Sequence, residues 1–398
     1  MAELQECCQK KFLNETMITT VCVLGDHIQS LGIVRTAGRL GYGVIVMNDD
    51  KICISRFSKY CSRFIPFRTE DHLLSQLLKL SDNGVLIMPT NDRLVKFVID
   101  HYDVLISNFV LSTPDAKVLE VCYNKKLTYQ KAIELNIPIP DSHFPETYEH
   151  LCRISETLSY PVIIKPAVMH RLYEKKGRKA YVCRNTAELL KNYIEATTII
   201  DPSEIIVQKF IAGMARNLYS YCSFFADGKI YGGFCANRIR QKPMDFGIAT
   251  TFAISVVNEQ LRDNALSFLR GIDYFGLSEV EFMYDPDDGV YKLIEVNPRT
   301  WKWHSIANKL NINLIRMMIE YLNGNKTTIQ VNRESNVGWI ETVTDTYVVL
   351  GEILRGRMSL SHYLKSLKVK KEFACFDFHD IMPTISYIVL LPYLFFSR

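Results

Sequence analysis

The first third of the chain alternates short apolar runs with amphipathic stretches, and no other feature of the sequence restricts the fold as strongly. TVCVLG (20–25), YGVIVMN (42–48), GVLIMPT (84–90) and YDVLIS (102–107) have the length and apolar character of buried strands. SLGIVRTAGRLG (30–41), between the first two runs, has the spacing of a helix. Strands that alternate with helices form parallel sheets covered on both faces. We therefore predict an α/β fold that begins with a parallel sheet.

The turn after the first predicted strand argues against a classical dinucleotide site. Its sequence, GDHIQSLG (25–32), lacks the GxGxxG spacing that lets a backbone approach a pyrophosphate. Binding of NAD is therefore disfavoured, and the parallel sheet needs another function.

The composition excludes several classes of protein. With 398 residues, the chain exceeds one ordinary core, and its 48% apolar and 23% charged residues are typical of folded domains. A net charge of +4 gives no concentrated positive surface, so nucleic acid is not an expected partner. The eleven cysteines contain no CxxC pair or zinc spacing. Together with an N-terminus that lacks a signal-peptide core, they favour a cytoplasmic protein with reduced thiols.

The C-terminal segment IMPTISYIVLLPYLFF (381–396) is free of charged residues. It is shorter than the roughly 20 apolar residues that span a bilayer, and it contains Pro383 and Pro392. Two interpretations stay open. Residues 381–398 form an interfacial anchor at the inner face of the membrane, or they pack on the protein's own core.

The middle of the chain is predicted to be antiparallel. Three prolines in IPIPDSHFPE (137–146) mark a boundary, and YPVIIKPA (160–167) and EIIVQKFIAG (204–213) then resemble strands. Two hairpins follow, at 218–241 and 278–299. A basic loop (170–179) lies between the strands, and a helical extension is expected from about residue 330.

The hairpin at 278–299 carries two glutamates that strand alternation brings together. Side chains recur on one face every second residue, so Glu279, Glu281 and Met283 share a face. The facing strand would contribute Tyr291, Leu293, Glu295 and Asn297 to the same side if Glu281 pairs with Glu295. Opposed carboxylates repel, but Mg²⁺ or Mn²⁺ between them removes the repulsion. Glutamates on a solvated face are the alternative, which the apolar neighbours of the pair disfavour.

Basic residues near these motifs complete a candidate site for a metal-bound nucleotide. Lys125 precedes an amphipathic helix and Lys165 ends a buried strand, while Arg238 and Arg240 are predicted to share one face of a strand. Arg299 follows Asn297 and Pro298, where it could hold a phosphate or carboxylate through two parallel hydrogen bonds. Each of these residues alone is more often a solvated charge; the set indicates Mg²⁺–nucleotide binding.

These residues resemble the motif order of ATP-grasp enzymes. The resemblance runs from about residue 20 to about residue 325: Lys125, IPIP, VIIKPA, VQKFIAG, and VEF followed by IEVNPR. SLGIVRTAGRLG, RIRQKP (238–243) and YDPDDGVYKLIEVNPRTWKWH (284–304) are similar to the carboxylate–amine ligases that include the D-aspartate ligases.

The resemblance implies an ATP-grasp fold in four parts. These are a Rossmann-like N-terminal domain (1–120), a first α+β ATP-binding lobe (121–210), a second lobe with the metal-binding hairpin (211–330), and a helical C-terminal extension with the apolar tail (331–398).

The resemblance also implies site residues and cofactors. Glu281, Glu295 and Asn297 would hold Mg²⁺ or Mn²⁺, and Arg299, Arg240 and Arg238 would act in catalysis. Lys125, Lys165, Gln208, Lys209, Phe210 and Ile211 would bind ATP, with the adenine held by the backbone at 209 and 211. Two departures stand out: the flap has only Gly177, and Gln208 and Lys209 occupy a stretch that usually carries an acid, which puts ribose recognition in question. His170 and His304 are expected to have packing or surface roles.

The implied activity joins a small-molecule carboxylate to an amine. ATP would phosphorylate the carboxylate, the amine would displace phosphate from the acyl phosphate, and ADP would be released. Envelope or polysaccharide synthesis would suit the apolar tail, and a homodimer through the first domain is a further expectation. Two alternatives stay open: an ATP-binding regulatory protein, and a membrane-associated binding module of the same fold.

Overall fold

The computed structural model describes residues 17–81, 84–168, 180–244, 247, 249–325 and 328–396. Its strands form three sheets within these ranges. The predicted basic loop 170–179, with His170 and Gly177, lies outside the described residues. Strands and helices are numbered below in chain order.

The first sheet is parallel, as the strand–helix alternation predicts. Its order is β3-β2-β1-β4-β5, and helices cover its faces. Its strands are β1 (Thr20–Leu24), β2 (Gly43–Asn48), β3 (Arg63–Pro66), β4 (Val85–Pro89) and β5 (Val110–Leu111). The helices of this part are α1 (Ile28–Arg39), α2 (Glu70–Leu78), α3 (Asp92–Asp100), α4 (Tyr102–Ile106) and α5 (Ala116–Tyr123).

The prediction of a strand at 102–107 is wrong, because this run forms α4. Tyr102 and Leu105 are buried, whereas Val104 is 41% exposed. Buried positions three residues apart are typical of a helix, and a run this short fits either structure by periodicity alone. The strand follows at Val110–Leu111.

The second sheet is small and antiparallel, in the order β6-β9-β7-β8. Its strands are β6 (Ser142–His143), β7 (Val162–Pro166), β8 (Tyr181–Cys183) and β9 (Ile205–Lys209). Helices α6 (Lys125–Glu134), α7 (Tyr148–Ser155) and α8 (Thr186–Thr197) belong to the same stretch. The last two close a core with β7 and β9 through Leu151, Leu189, Ile164 and Val207.

The third sheet is the largest. Its order is β14-β13-β10-β11-β12-β16-β17, with β15 beside β11. Its strands are β10 (Leu218–Ala226), β11 (Lys229–Lys242), β12 (Ala249–Val256), β13 (Gly276–Asp285), β14 (Val290–Asn297), β15 (Gln330–Val331), β16 (Gly338–Ile340) and β17 (Lys371–Phe373). The accompanying helices are α9 (Glu259–Gly271), α10 (Ile306–Lys309), α11 (Leu314–Leu322), α12 (Thr342–Leu354), α13 (Leu360–Ser366) and α14 (Met382–Phe396). Both predicted hairpins are present, as β10–β11 and β13–β14.

The two faces of the large sheet bury different cores. One face shares a core with the first sheet, in which Phe224 and Phe234 contact the cluster that contains Leu31 and Trp301. The other face packs under α9 through residues such as Val280 and Phe282. The described sheets draw their strands from 20–111, 142–209 and 218–373. The four domain ranges inferred from the sequence stay a prediction.

The C-terminal part is only partly the helical extension that was predicted, because β16 and β17 continue the large sheet. In α14, Tyr387 and Leu390 pack against the core shared with the first sheet. Ile388 and Val389 are 56% and 70% exposed. The segment therefore packs on the protein with one face only. Among the described residues, no helix combines the length and apolar character needed to cross a bilayer.

Candidate active site

The β13–β14 hairpin brings the predicted glutamates together. Glu281 lies opposite Glu295, and Glu279 lies opposite Asn297. Glu279 and Glu281 are only 2% and 6% exposed, and the side chain of Glu295 is 20% exposed. The alternative of glutamates on a solvated face is therefore wrong. Glu279 was placed on this face by the alternation but was not predicted as a site residue.

A β-bulge changes the rest of this face from the predicted pattern. Phe282 pairs with Leu293 while Glu281 pairs with Glu295, so Ile294 is the extra residue. The extra residue reverses the alternation. Leu293 accordingly lies in the apolar core with Phe282, on the face opposite Glu295, and the prediction that Tyr291 and Leu293 share the glutamates' face is wrong.

Three cations surround the carboxylates. The Arg238 guanidinium donates to Glu281 Oε1 at 3.0 Å, and the Lys125 ammonium lies 2.5 Å from Glu295 Oε2. Arg299 donates to Asn297 Oδ1 at 2.9 Å and pairs with Asp92 at 2.6 Å. Residues from β11, β14, α3, α6 and the segment after β14 therefore meet at this cluster.

Burial and charge act in opposite directions on these groups. Burial raises the pKa of Glu279 well above its usual range, and the neighbouring Glu281 charge raises it further. Burial also raises the pKa of Glu281, against the effect of Arg238. Burial disfavours the charged form of Lys125, but the attraction of Glu295 outweighs it and raises the pKa of that ammonium. A ligand that adds positive charge here would stabilise the ionised carboxylates.

The donor set fits Mg²⁺ or Mn²⁺ in its chemistry, since both prefer carboxylate and amide oxygens. Among the described residues, no three His, Cys, Asp or Glu side chains converge as a metal cluster; the predicted set is two carboxylates and an amide. Asn297 donates from Nδ2 to Glu279 and Glu281 at 3.1 and 3.2 Å. Its oxygen faces Arg299, so binding a metal beside Glu281 through that oxygen requires the amide to turn over.

Arg240 does not join this cluster. A second bulge, at Ile239, separates the pairs Arg238–Ala253 and Arg240–Phe252, so the prediction that the two arginines share a face is wrong. Arg240 is 1% exposed and donates to both carboxylate oxygens of Asp345, at 2.8 and 2.9 Å. Its guanidinium is thus engaged with α12, and the geometry gives no support to its predicted role at the phosphoryl group.

Lys165 occupies a different electrostatic situation. It is 9% exposed, and its ammonium donates to Tyr129 Oη at 2.6 Å and Gln208 Oε1 at 2.7 Å. No carboxylate oxygen of the described residues lies within 4.0 Å of this ammonium. Buried cations are normally paired with an anion. The nearby Gln208 is itself held by Ser142 at 2.7 Å.

The predicted adenine-binding stretch follows β9. The Lys209 ammonium reaches Asp285 and Asp287 at 3.1 and 2.6 Å, at the turn end of the β13–β14 hairpin. The backbone N–H groups of Lys209 and Phe210 donate to Asp141 and Pro161. Among the described residues, none accepts a hydrogen bond from the N–H of Ile211.

Sequence reasoning missed Tyr129, Glu279 and Asp92 at this site. Tyr129 lies one helical turn after Lys125 in α6, and that spacing places two residues on one helix face, a signal that could have found it. His304 has the packing role expected of it: it is buried, and its Nε2 lies 3.0 Å from the carbonyl oxygen of Gln29.

Comparisons with known proteins found similarity in sequence and in fold. Residues 235–329 match the family described as carbamoyl-phosphate synthase L chain, ATP binding domain. A D-aspartate ligase from Enterococcus faecium (strain Aus0004) is 26% identical over 337 residues, which cover 79% of each chain.

Two solved structures show the same fold. One is the biotin carboxylase domain of Hydrogenobacter thermophilus 2-oxoglutarate carboxylase, in complex with MgADP, ADP and bicarbonate (TM-score 0.63, 17% identity, 78% of this chain and 70% of that one). The other is the N5-carboxyaminoimidazole synthetase of Staphylococcus aureus, in complex with ADP (TM-score 0.63, 14% identity, 80% of each chain).

The predicted ATP-grasp fold is thereby confirmed. The similarity to a D-aspartate ligase agrees with the prediction of an ATP-grasp ligase. ADP and Mg²⁺ occur in structures of this fold. The chain therefore has the ATP-grasp fold, contains a match to an ATP-binding domain, and is similar to a D-aspartate ligase.

Proposed function

We propose that this protein is an ATP-dependent carboxylate–amine ligase that forms an amide bond through an acyl phosphate. The observation that carries the proposal is Lys165, a buried ammonium without a carboxylate partner among the described residues. An anionic ligand would supply the missing charge, and a nucleotide phosphate fits a point-charge donor of this kind. Tyr129 connects Lys165 to the carboxylate hairpin through its hydroxyl group.

Each part of the nucleotide has a proposed contact. Lys125 and Lys165 would bind the phosphates, and Gln208 would line the pocket. The N–H of Ile211 would donate to the adenine edge beside Lys209 and Phe210. Glu281, Glu295 and the oxygen of Asn297 would hold Mg²⁺ or Mn²⁺, which neutralises charge that develops on the transferred phosphoryl group.

The proposed reaction has two steps. A carboxylate oxygen of the substrate forms a bond to the γ-phosphorus of ATP as the bond to ADP breaks. The amine nitrogen then forms a bond to the acyl carbon, phosphate leaves with the electron pair of the broken C–O bond, and the amine loses a proton. Arg238 and Arg299 lie where they can stabilise negative charge, and the protein contributes mainly position and electrostatics.

The substrates belong to the proposal as well. The similarity to a D-aspartate ligase supports an amino acid as one of them. Envelope or polysaccharide synthesis is the setting we propose from the sequence. We also propose that the protein forms a homodimer through its first domain, as inferred from the sequence.

Product analysis tests this function directly. The purified protein with ATP and Mg²⁺ is offered a panel of amino acids and envelope precursors, and phosphate and ADP are measured. We expect release of both only with a matching carboxylate and amine, and loss of release in Glu295→Gln. AMP and pyrophosphate as products would contradict the acyl phosphate. Nucleotide binding without turnover of any pair would favour the ATP-binding regulatory alternative, and absence of nucleotide binding would contradict both.

A separate observation supports peripheral membrane contact. Met382, Ile385, Ile388 and Val389 form an exposed stripe on α14, whose 15 residues carry no charge. This helix packs beside the turn Ser55–Phe57, in a stretch with four basic residues and no acid (51–63). We propose that this face binds an anionic bilayer surface, since apolar burial and basic charge act together there.

Vesicle co-sedimentation tests this surface. Ile388→Glu/Val389→Glu is expected to reduce binding to phosphatidylglycerol vesicles, with turnover retained. Ile194→Glu is the matched control, because Ile194 is an exposed apolar residue on α8. Absence of binding by the unaltered protein, or equal binding by both variants, would contradict membrane contact.

A further inference from the structure

Tyr129 connects the buried lysine to the metal hairpin. It lies on α6, is fully buried, and its hydroxyl is 2.6 Å from Lys165 Nζ and 2.8 Å from the carbonyl oxygen of Ile294. Three elements therefore meet at one oxygen atom: α6, which begins with Lys125; β7, which carries Lys165; and β14, which carries Glu295.

The directions of these two hydrogen bonds are determined by chemistry. A carbonyl oxygen only accepts and an ammonium only donates, whereas a phenolic hydroxyl has a single hydrogen. Tyr129 must therefore donate to Ile294 and accept from Lys165. A lone pair of the Tyr129 hydroxyl oxygen is thus directed toward the Lys165 ammonium. Because this donor is charged, its hydrogen bond is stronger than one between neutral groups.

The contact with Ile294 involves the bulge in β14. A bulged residue departs from the regular ladder, so its backbone needs partners elsewhere. The Tyr129 hydroxyl satisfies the carbonyl of Ile294, and the preceding N–H of Leu293 donates to Pro138 at 2.8 Å. The bulge directs Glu295 toward Glu281. Without it, the residue opposite Glu281 would be Ile294, and Glu295 would lie on the other face of the strand.

We propose that Tyr129 is a positioning residue that aligns the Lys165 ammonium and the Glu295 segment for one metal-bound nucleotide. The inference rests on the proposed function and adds to it a link between the phosphate-binding lysine and the metal-binding carboxylates. In this scheme, Tyr129 contacts neither the phosphates nor the metal ion. It acts through Lys165 and the Ile294 carbonyl.

Calorimetric titration with MgADP tests the link. We expect Tyr129→Phe to weaken MgADP binding by about tenfold, the effect of losing a hydrogen bond to a charged group. In a Lys165→Gln background, the same change is expected to have a clearly smaller effect, because its target is gone. Equal losses in both backgrounds would show a merely structural role and overturn the proposal, as would unchanged binding by Tyr129→Phe.

Tyr193→Phe is the matched control. Tyr193 is 2% exposed and lies on α8, which packs on the second sheet. Its hydroxyl also donates to a backbone carbonyl, that of Pro145, at 3.3 Å. We expect MgADP binding to be unchanged in this variant. If Tyr129→Phe does not fold, Tyr129→Leu replaces it in the same comparison, since its side chain can neither donate nor accept a hydrogen bond. Failure of the unaltered protein to bind MgADP would instead count against the proposed function itself.

Discussion

At the scale of single residues, buried charges in this protein are compensated in two ways. Glu281 and Glu295 have cations from the chain itself, Arg238 and Lys125. Among the described residues, the hydrogen-bond partners of the Lys165 ammonium are the neutral oxygens of Tyr129 and Gln208. A carboxylate cluster held by protein cations is stable without ligand, whereas an ammonium of this kind is completed by an anion. The difference between these groups is what favours a nucleotide over a purely structural network.

His304 gives a prediction about acid stability. Burial lowers the pKa of His304 from 6.5 to about 4, because the charged form would lose its hydration. Below pH 6.5 the unfolded chain takes up this proton while the folded protein does not, so stability falls as the pH drops toward 4. Between pH 7 and pH 5, we expect this residue to account for about 2 kcal/mol of lost unfolding free energy.

Urea unfolding at the two pH values measures this loss. His304→Gln cannot titrate, so the part of the pH-dependent loss due to this residue is expected to disappear. His379→Gln is the control, because that side chain is 84% exposed. The same loss in His304→Gln as in the unaltered protein would contradict the assignment.

At the scale of strands and helices, the sequence predicted the pairing of the hairpins but not their irregularities. The turn at Pro286–Gly289 and the alternation around it are local and predict the hairpin, whereas the pairing of Glu281 with Glu295, which was assumed as a condition, requires the bulge. The bulges at Ile239 and Ile294 are not local. At the bulge at Ile294, the backbone carbonyl accepts a hydrogen bond from Tyr129, which lies 165 residues away along the chain. Periodicity within a strand carries no information about such a contact, and so the faces of Arg240 and Leu293 were predicted wrongly.

Asp285 provides a prediction at this scale, since it joins the β13–β14 hairpin to β9. It is 1% exposed and accepts from Lys292 at 2.7 Å and Lys209 at 3.1 Å. Burial by itself would raise the pKa of Asp285, but these lysines and a backbone N–H hold it below its usual value. Asp285→Asn removes the charge from both ion pairs, and we expect it to lower the unfolding free energy by about 2 kcal/mol.

The matched change is Asp288→Asn, because Asp288 is in the same turn, pairs with Lys292 and is 46% exposed. An exposed pair contributes roughly 0–1 kcal/mol. Chemical denaturation measures the unfolding free energy of both variants. Equal losses would contradict the prediction that the buried ion pairs of Asp285 contribute more than the exposed pair of Asp288.

At the scale of the whole molecule, the C-terminal segment is tied to the first sheet's helices. Asp380 is 3% exposed and accepts from Arg35 at 2.9 Å, Ser58 at 2.7 Å and the N–H of Lys59 at 2.9 Å. Asp380→Ala would leave the Arg35 guanidinium buried without this partner. We expect a loss of about 3–5 kcal/mol in the free energy of unfolding.

Asp263→Ala is the comparison for this change. The side chain of Asp263 is 64% exposed and pairs with Arg262 at 2.9 Å, so its removal is expected to have little effect. A thermal unfolding transition of Asp380→Ala that coincides with that of Asp263→Ala would show that the C-terminal segment does not hold the molecule together.

The central claim is that the carboxylate hairpin and the buried lysine form one site for a metal-bound nucleotide. Its most direct test is the affinity for ADP with and without Mg²⁺, in the unaltered protein, Glu295→Gln and Lys165→Gln. The account predicts that Mg²⁺ strengthens ADP binding, that Glu295→Gln abolishes this strengthening, and that Lys165→Gln weakens binding with or without the metal. Binding of ADP that is independent of Mg²⁺ and unaffected by either substitution would contradict it.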